Sequence, residues 1–285
     1  MADPEEVSQE TSTSTDEELG FGAEEEVDLP FQHIHLETRD NVARLTLNRP
    51  PYNVLTMDMM KEMTRAIEGL HEQRAVRAIL FQAAPESKAF SAGVAVEDSR
   101  PEVAFQMLEA FQAVFSAMLE TSKPVVTVVN GPAIGGGCEL AALGDVIIAT
   151  PKARFAQPEI RIGVFPPLAA IILPRIIGHK RALEMILTGE PLTAEEALRL
   201  GLVNRVVPEN QLEQEVAKML TRITEQSGPV LEMAKRVLYD TIGLPLAQGI
   251  RRSVDIYLNQ LMDLDDAQEG LRAILEKRKP VWKDK

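Results

Sequence analysis

The segment Lys123-Pro-Val-Val-Thr-Val-Val-Asn-Gly-Pro-Ala-Ile-Gly-Gly-Gly-Cys-Glu-Leu140 constrains this chain more than any other. Val125, Val126, Val128 and Val129 flank Thr127 with almost no polar alternation, which predicts a strand covered on both faces. Asn130-Gly131-Pro132 ends that strand. The triplet Gly135-Gly136-Gly137 then lets backbone approach a neighbour that any Cβ would exclude. It opens a helix, and the unpaired N–H groups of a helix N-terminus favour developing negative charge. Glu139 follows on the first turn. Donors of this kind beside a carboxylate are the components of an acyl-group enzyme.

Two other readings fit the segment. Gly135-x-Gly137 is half of a dinucleotide-binding pattern, but Leu140 stands where its third glycine belongs, and Glu139 would repel a pyrophosphate. A purely structural close contact is the second alternative, and the segment alone leaves it open.

Composition narrows the class. A length of 285 residues with 45% apolar content suits one large domain or one domain with an appendage. No apolar run approaches a membrane span, so a soluble protein without a membrane partner is expected. The single cysteine, Cys138, excludes an internal disulfide framework and suits a reducing, cytoplasmic setting. The net charge of −13 is concentrated: residues 1–28 hold eleven acidic side chains and no Lys or Arg, so the remainder is nearly balanced. That segment reads as a disordered acidic tail, unlike an Arg-rich transit peptide or an apolar signal sequence. The acidic balance also argues against nucleic acid as a partner.

The ordered chain is expected from Leu29. His33–Glu37 and Val42–Leu47 alternate like two strands joined across Arg39-Asp40-Asn41. His33 and His35 share a face at a spacing metal ligands use, but no third ligand is evident, and an exposed strand face fits better. Two prolines make Asn48–Asn53 a loop. Thr56 is placed to cap a helix reaching to about Gln73. Arg77–Gln82 reads as a buried strand leading into Ser87–Val94, a loop of small residues of the kind that carries functional backbone. After Pro101 a helix presents Phe105, Leu108, Phe111, Phe115 and Leu119 as a stripe expected to face the core. Beyond the glycine helix, Asp145–Ala149 and Ala153–Ala156 read as short strands. Gln157-Pro158-Glu159-Ile160 then places a carboxylate in apolar company.

Three of these segments together resemble the crotonase, or enoyl-CoA hydratase/isomerase, superfamily. They are Lys88-Ala-Phe-Ser-Ala-Gly93, Asn130–Leu140 and Phe155-Ala-Gln-Pro-Glu-Ile160, in the family's order and at its separations. Ala182–Gly189, Ala194–Ala197, Gly201–Val203 and Glu269–Arg278 extend the likeness over about residues 31–285. The resemblance implies an α/β fold, a crotonase-like spiral of ββα units (29–228) followed by a helical C-terminal oligomerisation region (229–285). The chain after Pro208 suits that, with helices predicted over 212–225, 230–241, 246–261 and 266–277. It further implies an acyl-CoA substrate, a homo-oligomer (trimer or dimer of trimers), and neither metal nor separate cofactor.

Carried over by motif position, the oxyanion hole falls on the amides of Ala92 and Gly136, and the acid–base pair on Glu139 and Glu159. The helix N-terminus suggests Glu139 as the ionised base, and apolar surroundings suggest Glu159 as the acid. Contacts to CoA are implied at Tyr52, Val54, Ala89 and Lys277, and an acyl pocket at Val94, Phe165, Pro167 and Leu168. Two departures from the family pattern stand out. Ala95 replaces a usual acid, and Gly163–Ala170 carries Pro167, Leu168 and alanines where glycines are usual. Both look like cyclohexa-1,5-diene-1-carbonyl-CoA hydratases. An ordinary short-chain enoyl-CoA hydratase, an isomerase on the same fold and a non-catalytic acyl-CoA binder are the alternatives.

Overall fold

The computed structural model describes residues 30–285, and Phe31–Lys285 form one unit. The expected tail over residues 1–28 lies outside the described residues. In chain order the strands are β1 (Ile34–Arg39), β2 (Val42–Leu47), β3 (Ala78–Ala83), β4 (Val125–Val129), β5 (Pro132–Ile134), β6 (Val146–Ala149), β7 (Arg154–Ala156), β8 (Leu192–Thr193) and β9 (Arg205–Val206). The α-helices are α1 (Met57–Gly69), α2 (Ala104–Glu120), α3 (Gly136–Ala142), α4 (Ala169–Ile177), α5 (His179–Thr188), α6 (Ala194–Leu200), α7 (Glu209–Thr224), α8 (Gly228–Thr241), α9 (Leu246–Asn259) and α10 (Asp265–Leu275).

Six strands form one sheet in the order β1-β2-β3-β4-β6-β9, and β5-β7-β8 form a second. β1 and β2 make the expected hairpin, turning through Asp40 and Asn41 at φ 52° and 62°, which short polar side chains tolerate. From β2 onward the neighbours in the large sheet are parallel. Its two faces are both covered, which explains the unbroken apolar run of β4. Leu45, Ile79, Phe81, Val125 and Ile147 face the main core with α1 to α3, while Leu80, Val126, Val128 and Ile148 pack on Val216 and Leu220 of α7. The chain leaves the large sheet after β4 and enters the small one at β5 only two residues later. That step repeats the strand–strand–helix unit and delivers α3 to the junction of the sheets.

Thr56 caps α1 as expected, accepting from Met59 N–H at 3.4 Å. The stripe on α2 is a correction. Phe111 and Phe115 are buried, but Phe105 is 74% exposed and Leu108 and Leu119 are also open. The buried face runs instead through Met107, Ala110, Phe111, Val114, Phe115 and Met118. Phe105 and Leu119 fall off its edge because a spacing of three or four drifts around the helix. His33 does not join His35 in a ligand pair. Its Nδ1 lies 3.1 Å from Glu62 Oε1 on α1, and His35 is exposed.

The C-terminal helices are fastened by buried charge. Lys123, 1% exposed at the foot of β4, pairs with Glu232 of α8 at 2.6 Å. One helical turn on, Lys235 pairs with Asp145 at 2.7 Å and donates to Lys123 O at 3.0 Å. Asp145 also accepts Tyr239 Oη–H at 3.0 Å and Val125 N–H at 2.7 Å. Among the described residues no helix is long and apolar enough to cross a membrane. Breaking such a pair from one side strands a desolvated ammonium. Glu232→Ala should therefore cost on the order of 3 kcal/mol, read as a lower urea midpoint, with Glu232→Gln intermediate because its amide oxygen still accepts.

Candidate active site

Strand β5 brings the chain to Gly135, at φ 53° and ψ −127°. This is backbone that a side chain disfavours. A Cβ there would also fall onto Glu159 Oε1, so the bare glycine is what lets that carboxylate lie against the start of α3. Gly137 is closed in by the 88–94 loop: a Cβ would stand 2.5 Å from Ser91 O and 2.7 Å from Ser91 Cβ. A Cβ on Gly136, between them, would meet Phe111 Cζ and Val94 Cγ2 at 3.0 Å each. The triplet is thus where the loop, α2 and the 3-10 turn Pro158–Ile162 converge.

Which amides are available follows from the hydrogen bonds. Cys138 N–H and Glu139 N–H donate to Gly135 O at 2.8 and 3.0 Å, while Gly136 N–H has no acceptor among the described residues. In the loop, the expected donor Ala92 is a correction, because its N–H is spent on Tyr52 O at 2.9 Å. Ser91 N–H goes to Pro132 O and Gly93 N–H to Ser91 Oγ. Val94 is different. Gly93 O accepts from Leu55 N–H at 2.8 Å and Ala95 N–H donates to Leu55 O at 2.9 Å. In this parallel bridge Val94 is the residue whose own N–H turns away from the partner, and it has no acceptor among the described residues. A Cβ on Gly93 would lie 3.4 Å from Gly136 N, so the two unpaired amides, Val94 and Gly136, are neighbours.

Both predicted carboxylates reach this junction. Glu139, 3% exposed, accepts Ala169 N–H on Oε1 at 2.5 Å. Burial pushes its carboxyl up to about 7; the Ala169 amide opposes that, the charge of Glu159 adds to it, and the Leu168 amide again opposes it. In that shift desolvation outweighs the amides, against the pull of the helix N-terminus toward the ionised form. Glu159 is also raised, by burial, and its Oε2 is enclosed without a hydrogen-bond partner. Two carboxyls that both resist ionisation next to each other titrate as a pair.

The other expected residues divide. Val94 packs on Gly136, and Leu168, partly buried, packs on the main core while its amide faces Glu139. Pro167 is partly buried, but Phe165 is 67% exposed, so its expected place in a pocket wall is corrected. The turn over 163–168 serves the site with backbone rather than with bulk. Ala89 is buried, Val54 is partly buried with its carbonyl accepting from Arg49, and Tyr52 is half exposed. Lys277 ends α10 and makes no hydrogen bond or ion pair with the 88–94 loop. Leu55 and Phe111 were not anticipated at the site, yet both stand beside Gly136. The α2 stripe contained Phe111, but nothing in its spacing pointed to the glycine turn.

The enoyl-CoA hydratase/isomerase family model matches residues 37–285. The chain is 36% identical to a probable mitochondrial enoyl-CoA hydratase of Dictyostelium discoideum, covering 87% of this chain and 90% of that one. It is 32% identical to a cyclohexa-1,5-dienecarbonyl-CoA hydratase of Thauera aromatica, over 88% and 96%. The solved enoyl-CoA hydratase of Mycobacterium smegmatis superposes with a TM-score of 0.84 at 33% identity, over 88% of this chain and 99% of its own.

The raised carboxyl of Glu139 has a signature in stability. A folded-state value near 7 against an ordinary 4.5 means the folded protein binds this proton more tightly than the unfolded chain. Stability from that proton is complete below about 4.5 and is lost as pH rises to 7. Glu139→Gln carries no such term, so its stability relative to the parent should climb by about 3 kcal/mol between pH 4.5 and 7.5 and then level off. Urea midpoints of both proteins across that range measure it.

Proposed function

The chain belongs to the enoyl-CoA hydratase/isomerase family, and as an acyl-CoA hydro-lyase by that kinship it has to polarise a thioester and move one water and two protons. On that premise we propose that the Val94 and Gly136 amides bind the thioester oxygen while Glu139 and Glu159 act as one acid–base unit across the double bond. The single observation carrying this reading is the convergence of two unpaired amides, the buried Glu139 carboxyl and the partly buried Glu159 carboxyl on the glycine turn.

The steps follow from the groups. As water oxygen bonds to Cβ, the ionised carboxyl takes a water proton, and the π electrons move toward the thioester oxygen. The enolate charge that collects there meets two N–H donors, which need no rearrangement to receive it. The protonated carboxyl then supplies the proton at Cα. The pair begins and ends with one proton between its members, transferred from one to the other, and resets by exchange. Burial raises both carboxyls, so the pair shares its proton rather than holding it on one fixed member. Glu159 Oε2, enclosed and without a hydrogen-bond partner among the described residues, is the acceptor left for the substrate water to satisfy in this reading.

For the acyl group we propose a short 2-enoyl chain. The relatives named above span 32–36% identity whether their names specify a cyclic dienoyl or an enoyl substrate, so likeness favours neither. The exposed Phe165 removes one support for a pocket built around a ring. Purified protein should hydrate crotonyl-CoA faster than cyclohexa-1,5-diene-1-carbonyl-CoA; the opposite order would assign the cyclic substrate, and double-bond migration without hydroxyacyl product would assign an isomerase. Glu139→Gln and Glu159→Gln should each lower turnover by about 10²–10⁴. The double variant should lose far less than the product of the two, because the carboxyls act as a unit.

We also propose a homo-oligomer, a trimer or dimer of trimers. Ile250, Val254, Tyr257 and Leu258 on α9 and Ile274 and Leu275 on α10 are each at least half exposed, more apolar surface than solvated helices ordinarily carry. Light scattering at micromolar concentration should give at least three times the protomer mass, and a monomer would refute the assembly.

A further inference from the structure

Asn53 has no place in the proton transfers, yet its side chain makes four hydrogen bonds at the edge of the site. It is fully buried, at φ 48°. Its Oδ1 accepts Arg49 N–H at 2.9 Å, while Nδ2 donates to Phe90 O at 3.0 Å, Ser87 Oγ at 3.1 Å and Ala89 O at 3.2 Å. Its main-chain carbonyl accepts the Ser91 hydroxyl at 2.7 Å. That hydroxyl in turn accepts Gly93 N–H at 3.2 Å. Bonds therefore run unbroken from Asn53 through Ser91 to the peptide next to Val94.

The 88–94 loop needs such an anchor. Phe90 is buried against Phe81 at 5.3 Å between ring centroids, but Ala89, Ser91, Ala92 and Gly93 have little side chain with which to pack, so hydrogen bonds fix the backbone around it. Ser91 is also tied on its other side to β5, donating to Pro132 O and accepting Ile134 N–H at 2.9 Å, and β5 runs directly into Gly135 and Gly136. The two donors thus hang from one scaffold, with Asn53 at its centre. The left-handed backbone alone does not require this residue, because glycine would adopt it at least as well. Glycine would leave the carbonyls of Ala89 and Phe90 without their buried donor.

We infer that Asn53 is a positioning residue which, through Ser91 and Gly93, sets the Val94 amide where it shares an oxyanion with Gly136. The inference rests on the Val94–Gly136 donor pair proposed above. Donors must lie within about half an ångström of the developing charge to be effective. Loosening the loop should therefore reduce carbonyl polarisation in ligand that is already bound, an effect distinct from weaker binding.

Asn53→Asp keeps the shape, the backbone preference and the acceptor for Arg49, but turns oxygen toward the carbonyls of Ala89 and Phe90. Asn53→Gly keeps the backbone, removes the side-chain bonds and leaves room for water, and it covers the case in which the aspartate variant does not fold. The probe is cinnamoyl-CoA, whose conjugated absorption moves to the red when its thioester carbonyl is polarised. At saturation the parent should show that shift. A folded variant should show half of it or less, with kcat for crotonyl-CoA hydration lowered about 10–100-fold. A folded variant with the full shift and full kcat overturns the role of Asn53 alone. A parent that binds cinnamoyl-CoA with no shift overturns the donor pair, and the role of Asn53 with it.

Discussion

Everything at the site depends on backbone contacts that a single Cβ would forbid. Gly135 admits the Glu159 carboxylate, and Gly137 admits the Ser91 backbone. Between them, Gly136 keeps its amide open while three side chains from separate segments close around its Cα. The triplet is therefore more than a permissive turn. It is the point where the 88–94 loop, α2 and the 3-10 turn carrying Glu159 are drawn to van der Waals distance, and the donor geometry is a consequence of that packing. The two sheets make this possible because the chain passes from β4 to β5 with only Asn130 and Gly131 between them, so a rigid strand ends right at the reactive turn.

Electrostatics then divides the labour. Amides from the start of α4 hold Glu139, and such donors normally favour a carboxylate; here burial outweighs them and raises the carboxyl to about 7. Elsewhere the fold buries charge in pairs: Lys123 with Glu232 and Lys235 with Asp145 leave no ammonium uncompensated. The same desolvation thus has two outcomes. Where opposite charges meet it fastens α8 to the parallel sheet, and at Glu139 and Glu159 it raises both carboxyls.

Much of this was legible in the sequence where side-chain pattern and backbone role coincide. The β1–β2 hairpin, the doubly covered β4, the Thr56 cap and the glycine-opened α3 all carry local signals, and all are found. Glu139 and Glu159 were legible because motif spacing fixes which residues approach the turn. What was not legible depended on where individual N–H groups point. Ala92 and Val94 are two residues apart in a loop of small residues, and only the bridge to Leu55 and the bond to Tyr52 O decide which amide is free. The direction of the Glu139 shift was missed for a related reason, since a dipole is visible in sequence and the degree of burial is not. Phe165 reads as a pocket residue by its apolar character, yet the turn that carries it supplies backbone to Glu139 and leaves the ring outside.

With Val94 and Gly136 as the proposed donors, the electrophilic half of the site is main chain. No substitution at Val94 or Gly136 can delete an N–H short of proline, so the donors are protected from most changes of side chain. Their placement is not, because it is set by residues that never touch the thioester oxygen: Asn53 and Ser91 under the loop, Leu55 beside it, and the glycines against it. Side chains near the donors, such as Phe111 and Val94, are then free to shape the space for the acyl group without disturbing the polarising groups. On the proposed assignment, reaction chemistry and acyl preference fall on different atoms of the same few segments, so one fold can retain the first while the second changes.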